Sequence, residues 1–127
     1  MGEIDMQFTF KHMNINVTNL ARSINFYEEA LGLHVGNKID APDGSFSIAF
    51  MTDGESGVAL ELTWLREHTQ SYDLSDNEIH AAFAVADMDA ALKLHNAMGC
   101  VSFENKAMGI YFIEDPDGYW VEIVPEK

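Results

Sequence analysis

Two histidines and two glutamates stand at matching places in the two halves of this chain, and together they could do metal chemistry. His12 opens HMNINV and His80 opens HAAFAV, while Glu61 sits in VALELTW and Glu122 in YWVEIV. Strand side chains alternate, so residues two apart share a face. The bulky aliphatics of these runs take one face: Met13 and Ile15, Leu60 and Leu62, Phe83 and Val85, Val121 and Ile123. The His or Glu takes the other face each time. An ionised carboxylate such as Glu122 is rarely buried without a partner. If the polar faces line one concave surface, two imidazoles and two carboxylates with room for water suit a divalent first-row metal in five- or six-coordinate geometry. A closed structural zinc site, which favours sulfur, has a different donor set. The alternative is a sheet with one solvated face, on which polar residues alternate without chemistry.

Positioning these residues requires elements, and the elements repeat. HMNINVTNLARSINFYEEALGL answers HAAFAVADMDAALKLHNAMGC, and FMTDGESGVALEL answers FIEDPDGYWVEIV. The pattern predicts strands over 10–17 and 79–85, each followed by a helix. Helix one is capped by Thr18 or Asn19 and carries Leu20, Ile24, Tyr27 and Leu31 at helical spacing. Helix two is capped by Asp87 and stops at Gly99. Further strands are predicted over 34–39, 45–52 and 58–64 in the first half, and over 101–104, 109–113 and 119–124 in the second. DGESG and EDPDG have turn chemistry. The order βαβββ therefore occurs twice. Asp115, Asp117 and Gly118 read as turn residues, His34, His68 and His95 as surface or helix-flank residues, and Cys100 as a buried, inert thiol.

Composition narrows the function classes. With 127 residues, 47% of them hydrophobic, the chain suits one compact domain with a real core. A formal charge of −14 argues against nucleic acid and anionic membranes, both of which need clustered Lys and Arg. No apolar run approaches the length of a membrane helix. A single cysteine precludes an internal disulfide or a multi-cysteine metal cage, and the acidic start lacks secretory character, so a cytoplasmic location is expected.

NVTNLARSINFYEEALGL, ALELTW, HAAFAVADMDAAL and FIEDPDGYWVEIV together resemble the glyoxalase I (lactoylglutathione lyase) family of the vicinal oxygen chelate superfamily, over about residues 12–122. The resemblance implies an α+β fold in which two tandem βαβββ modules form a cupped mixed sheet. The modules span about 8–66 and 78–126 of a single domain covering 1–127. It implies that His12, Glu61, His80 and Glu122 ligate a divalent metal, Ni²⁺ or Co²⁺ favoured and Zn²⁺ possible. The implied reaction isomerises the hemithioacetal of methylglyoxal and a thiol to the D-lactoyl thioester, with Glu122 as the base and Glu61 able to act toward the other face. The implied partners are this small-molecule substrate and a second copy of the chain, each site drawing His12 and Glu61 from one copy and His80 and Glu122 from the other.

Other members offer alternatives: a different metalloenzyme, such as an epimerase or dioxygenase, or a non-catalytic protein that sequesters a small molecule such as an antibiotic. Glu61 separates them, since dioxygenase relatives lack a ligand there and epimerases typically carry Gln. Two positions depart from the glutathione-using pattern. Asn16 stands where those members commonly place Arg, and Leu65 where they place Asn, so the thiol is glutathione or another low-molecular-weight thiol.

Overall fold

The computed structural model describes residues 6–126. Ten elements follow in the repeated order: β1 (His12–Asn16), α1 (Leu20–Leu31), β2 (His34–Asp40), β3 (Phe46–Thr52), β4 (Ala59–Leu65), β5 (Ala81–Val85), α2 (Met88–Met98), β6 (Val101–Asn105), β7 (Ile110–Glu114) and β8 (Trp120–Pro125). Each βαβββ module makes its own mixed four-stranded sheet, ordered β1-β4-β3-β2 and β5-β8-β7-β6. In both, the first strand runs parallel to the last and the remaining pairs are antiparallel. A bulge interrupts β2 at Val35/Asn37 and, at the equivalent place, β6 at Val101/Phe103. The duplication legible in the residues is thus a duplication of topology, down to an irregularity.

The helices begin and end where side-chain chemistry dictates. Asn19, in extended conformation, accepts the Arg22 backbone N–H, and Asp87 accepts that of Ala90. Gly32 and Gly99 close the helices in the left-handed region (φ 68° and 72°), where a Cβ would be strained. The first strand starts at His12 rather than residue 10, and β5 at Ala81 rather than 79. Each outer strand has a neighbour on one side only, and pairing begins where β4 and β8 come alongside.

One buried cluster joins both modules: Ile15, Val17, Tyr27, Met51 and Leu62 from the first meet Tyr111, Ile113, Val121 and Ile123 from the second. Burying such side chains contributes about 1.5–3 kcal/mol each. The EDPDG turn then clamps onto α1. The Tyr27 hydroxyl donates to Asp115 Oδ2 at 2.7 Å, and the Thr18 hydroxyl donates to Asp117 Oδ1 at 2.6 Å. Ser23 donates to Asp117 Oδ2, and Arg22 approaches Oδ1 at 3.5 Å. Asp115 Oδ1 meanwhile accepts the N–H groups of Asp117 and Tyr119, fixing the turn itself. Burial raises the Asp115 acid above its ordinary value, and burial followed by the nearby Asp115 and Asp117 charges pushes Tyr119 up to about 12.

His95 departs from expectation. It is buried rather than on a helix flank, because both ring nitrogens find partners: Nδ1 pairs with the Tyr111 hydroxyl and Nε2 with the Ala30 carbonyl, each at 2.7 Å. An imidazole satisfied at both ends can be buried at little cost.

Candidate metal centre

The register of each sheet fixes what stands beside each glutamate. Glu61 of β4 lies between Asn14 of β1 and Phe50 of β3; Glu122 of β8 lies between Ala82 of β5 and Phe112 of β7. Paired residues point to the same face. Leu60 and Leu62, Val121 and Ile123 take the opposite face and are buried. The alternation read from the sequence is therefore the alternation of the sheets.

On that face the four residues gather as two equivalent pairs. His12 Nε2 lies 3.1 Å from Glu61 Oε1, and His80 Nε2 lies 3.2 Å from Glu122 Oε1. The glutamate side chains are 14% and 19% exposed and the histidines 44% and 34%, so the carboxylates are recessed while the imidazoles reach outward. Phe50 sits edge-on to His12 (centroids 5.4 Å) and Phe112 edge-on to His80 (5.0 Å). Each phenylalanine thus packs against an imidazole, and His80 Nδ1 also pairs with the Glu78 carbonyl at 3.3 Å. The sequence carries a signal for them, since both open the runs FMTDG and FIEDP that align between the halves.

The pairs fit a shared divalent ion. Two donors about 2.1 Å from one ion and at right angles to each other stand roughly 3 Å apart. Both pairs meet that spacing and present one nitrogen and one carboxylate oxygen. Each pair presents two donors, too few to hold such an ion alone. Among the described residues no group of three or more His, Cys, Asp or Glu assembles within the chain, so the two halves are not brought together.

Among the described residues each pair lies toward an outer edge of its sheet. β1 is an outer strand of its sheet and opens on His12; β5 is an outer strand of the other, and His80 immediately precedes it. An open cleft of about 1190 Å³ lies against β5, lined by Met13, Met51, Leu60, Phe83, Ala91 and Ile123 among others. A second, of about 550 Å³, reaches from Asn14 and Asn16 to His80 and Trp120. Large apolar side chains stand in solvent nearby: Phe8, Phe10 and Ile79 are 70%, 68% and 78% exposed.

The remaining histidines stay apart from the pairs. His68 stacks on Tyr72 with ring centroids 3.8 Å apart, and His34 is exposed on β2. Cys100 is partly buried, and burial pushes its thiol up, away from reactivity.

Comparison with known proteins agrees with this architecture. The family model described as "Glyoxalase/Bleomycin resistance protein/Dioxygenase superfamily" matches residues 9–123. The lactoylglutathione lyase of Neisseria meningitidis serogroup B is 35% identical over 126 residues, covering 91% of this chain and 89% of the relative. That of Pseudomonas aeruginosa is 32% identical, covering 95% and 84%. Among solved structures, the trypanothione-dependent glyoxalase I of Leishmania major superposes with a TM-score of 0.85 at 32% identity, covering 94% of this chain and 88% of that one.

Proposed function

The chain belongs to the glyoxalase/bleomycin resistance protein/dioxygenase superfamily and, within it, to the lactoylglutathione lyases, and on that premise we propose that it is a metal-dependent glyoxalase I. It isomerises the hemithioacetal of methylglyoxal and a low-molecular-weight thiol to the D-lactoyl thioester, in methylglyoxal detoxification. The observation that carries this reading is the duplicated His–Glu pair, His12–Glu61 and His80–Glu122, on equivalent faces of two equivalent sheets. A binding module would not need two recessed carboxylates, each held at ligand spacing from an imidazole.

The substrate's α-hydrogen is weakly acidic, and its removal leaves an enediolate. A divalent ion held by His12, Glu61, His80 and Glu122 would supply Lewis-acid stabilisation of that developing negative charge. The resemblance favours Ni²⁺ or Co²⁺, with Zn²⁺ possible, and imidazole and carboxylate donors suit all three. Glu122 takes the proton from one carbon and returns it to the next. Glu61, equivalent by the internal repeat, can do the same toward the opposite face. Phe50 and Phe112 hold the two imidazoles in line while the carboxylates work.

The chain works as a homodimer with two sites, each pairing module one of one copy with module two of the other. Three features support this among the described residues: the half-sites stand apart within a chain, β1 and β5 are outer strands, and Phe8, Phe10 and Ile79 are exposed near them. A cytoplasmic location suits the single, unpaired thiol. The thiol is glutathione or another of low molecular weight; the L. major relative is described as trypanothione-dependent.

The deciding experiment strips the protein of metal, reloads it with Ni²⁺, Co²⁺ or Zn²⁺, and follows thioester formation by ultraviolet absorbance with methylglyoxal and a panel of thiols. Turnover that depends on the added ion is expected. No thioester with any ion and any thiol overturns the reading.

A further inference from the structure

The charge of the site walls limits which thiol can enter, an inference that rests on the reading just given. On the ligand-bearing face of the first sheet, the register groups His12, Asn14, Asn16, Phe50, Glu61 and Thr63. On that of the second it groups Ala82, Phe112, Glu114, Trp120, Glu122 and Val124. Among the described residues neither face carries a Lys or Arg.

Among the described residues, the few cations are engaged elsewhere or stand at the rim. Arg22 approaches Asp117, and Lys38 lies 3.7 Å from Asp40. Arg66 donates to the Asp43 carbonyl and to Glu67. Lys93 is on α2, Lys11 precedes β1, and Lys106 lies in the β6–β7 turn.

The walls hold uncharged polarity and a surplus carboxylate instead. Thr63 donates to Asn14 at 2.6 Å, and Asn14 to Asn16 at 2.9 Å, giving a chain of amides and hydroxyl that exchanges hydrogen bonds without offering charge. Glu114 is a third carboxylate on the glutamate-bearing faces, beyond the two proposed ligands. It pairs in register with Trp120, whose indole N–H donates to its Oε1 at 3.3 Å and holds it on this face. From Glu122 it is one diagonal step, roughly 7–8 Å between Cα atoms.

Glutathione carries two carboxylates and one ammonium at neutral pH, a net charge of −1. It would meet carboxylates and neutral amides, in the field of a chain of net charge −14. We infer that this site takes the hemithioacetal of a thiol carrying no net negative charge, with Glu114, positioned by Trp120, as the residue that sets the preference. An ammonium or amide N–H on the far end of such a thiol meets Glu114 and the Asn14–Asn16–Thr63 chain.

The test uses the metal-loaded protein and hemithioacetals that share one skeleton but differ in charge: glutathione, its glycyl amide, and its dimethyl ester. At low salt, kcat/KM for the ester is expected to exceed that for glutathione by about tenfold, with the amide between, and the gap should shrink as salt screens the walls. Glu114→Lys should narrow the ester-to-glutathione ratio about fivefold or more, and a ratio does not depend on how much protein is folded. Lys106→Ala should leave the ratio where it was. Glutathione turned over as well as its ester overturns the inference while leaving the activity standing. So does a selective loss of glutathione turnover in Lys106→Ala, which would make Lys106 a carboxylate anchor. If no thiol gives a thioester, the assigned activity itself falls.

Discussion

Glu122 shows how an apolar strand accommodates a carboxylate. Val121 and Ile123 are 2% exposed on one face, while the Glu122 side chain, on the other, meets an imidazole at 3.2 Å. Its equivalence to Glu61 was legible in the repeat, because period-two alternation survives any detail of packing. The surroundings of the histidines were less so: the edge-on contacts of Phe50 and Phe112 depend on which strands become neighbours. The two glutamates are equivalent in surroundings, so the assignment of the base is open to direct test. Glu122→Gln keeps the size and an oxygen donor but cannot take a proton. Thioester formation on the metal-loaded variant is expected to fall by about a hundredfold or more. Activity near that of the unsubstituted protein would move the proton transfer to Glu61.

Among the elements, those set by local rules were the legible ones. The Asp87 cap, the Gly99 stop and the eight strands follow from spacing and turn chemistry, and of the two cap candidates for helix one Asn19 is the one used. Strand ends differ by a residue or two, most at the outer strands β1 and β5. Contacts distant in sequence were not legible. EDPDG reads as a turn, yet Asp115 reaches Tyr27 across 88 residues and so also fastens the second module to α1. His95 likewise reads as a helix residue until Tyr111 and Ala30 are brought to its two nitrogens. The clamp has a pH signature. Burial raises Asp115 above its ordinary 3.8, outweighing the hydrogen bonds that lower it. The folded chain therefore binds this proton more tightly than the unfolded chain does. The resulting stabilisation is complete below the ordinary value and is lost as pH rises through the raised one. Asp115→Asn retains the Oδ1 acceptor for Asp117 and Tyr119 and removes the titration. Urea unfolding between about pH 4 and 7 should show the unsubstituted protein losing stability relative to the variant as pH rises. Parallel profiles would mean that Asp115 contributes no such linkage.

At the scale of the whole molecule, the site is a question of which module meets which. On the proposed reading one chain holds two half-sites, each beside an outer strand of its sheet among the described residues, and a single buried cluster fixes the modules relative to one another. Outer strand edges and exposed Phe8, Phe10 and Ile79 are costly in a lone chain, and the proposed second copy would cover them. Two-fold pairing offers module one of each copy to module two of the other, which yields two identical sites. Complementation separates this from a site closed within one chain. One variant carries His12→Ala and Glu61→Ala; the other carries His80→Ala and Glu122→Ala. Alone, each builds only sites that lack half of their ligands. Unfolded together and refolded, half of the dimers are mixed. Each mixed dimer rebuilds one complete site, from module one of the second variant and module two of the first. The mixture should regain about a quarter of the unsubstituted activity, and the same fraction of tightly bound metal. If mixed dimers form, as counted by native mass spectrometry, and neither activity nor metal returns, each site is built within one chain and the two-copy architecture is wrong.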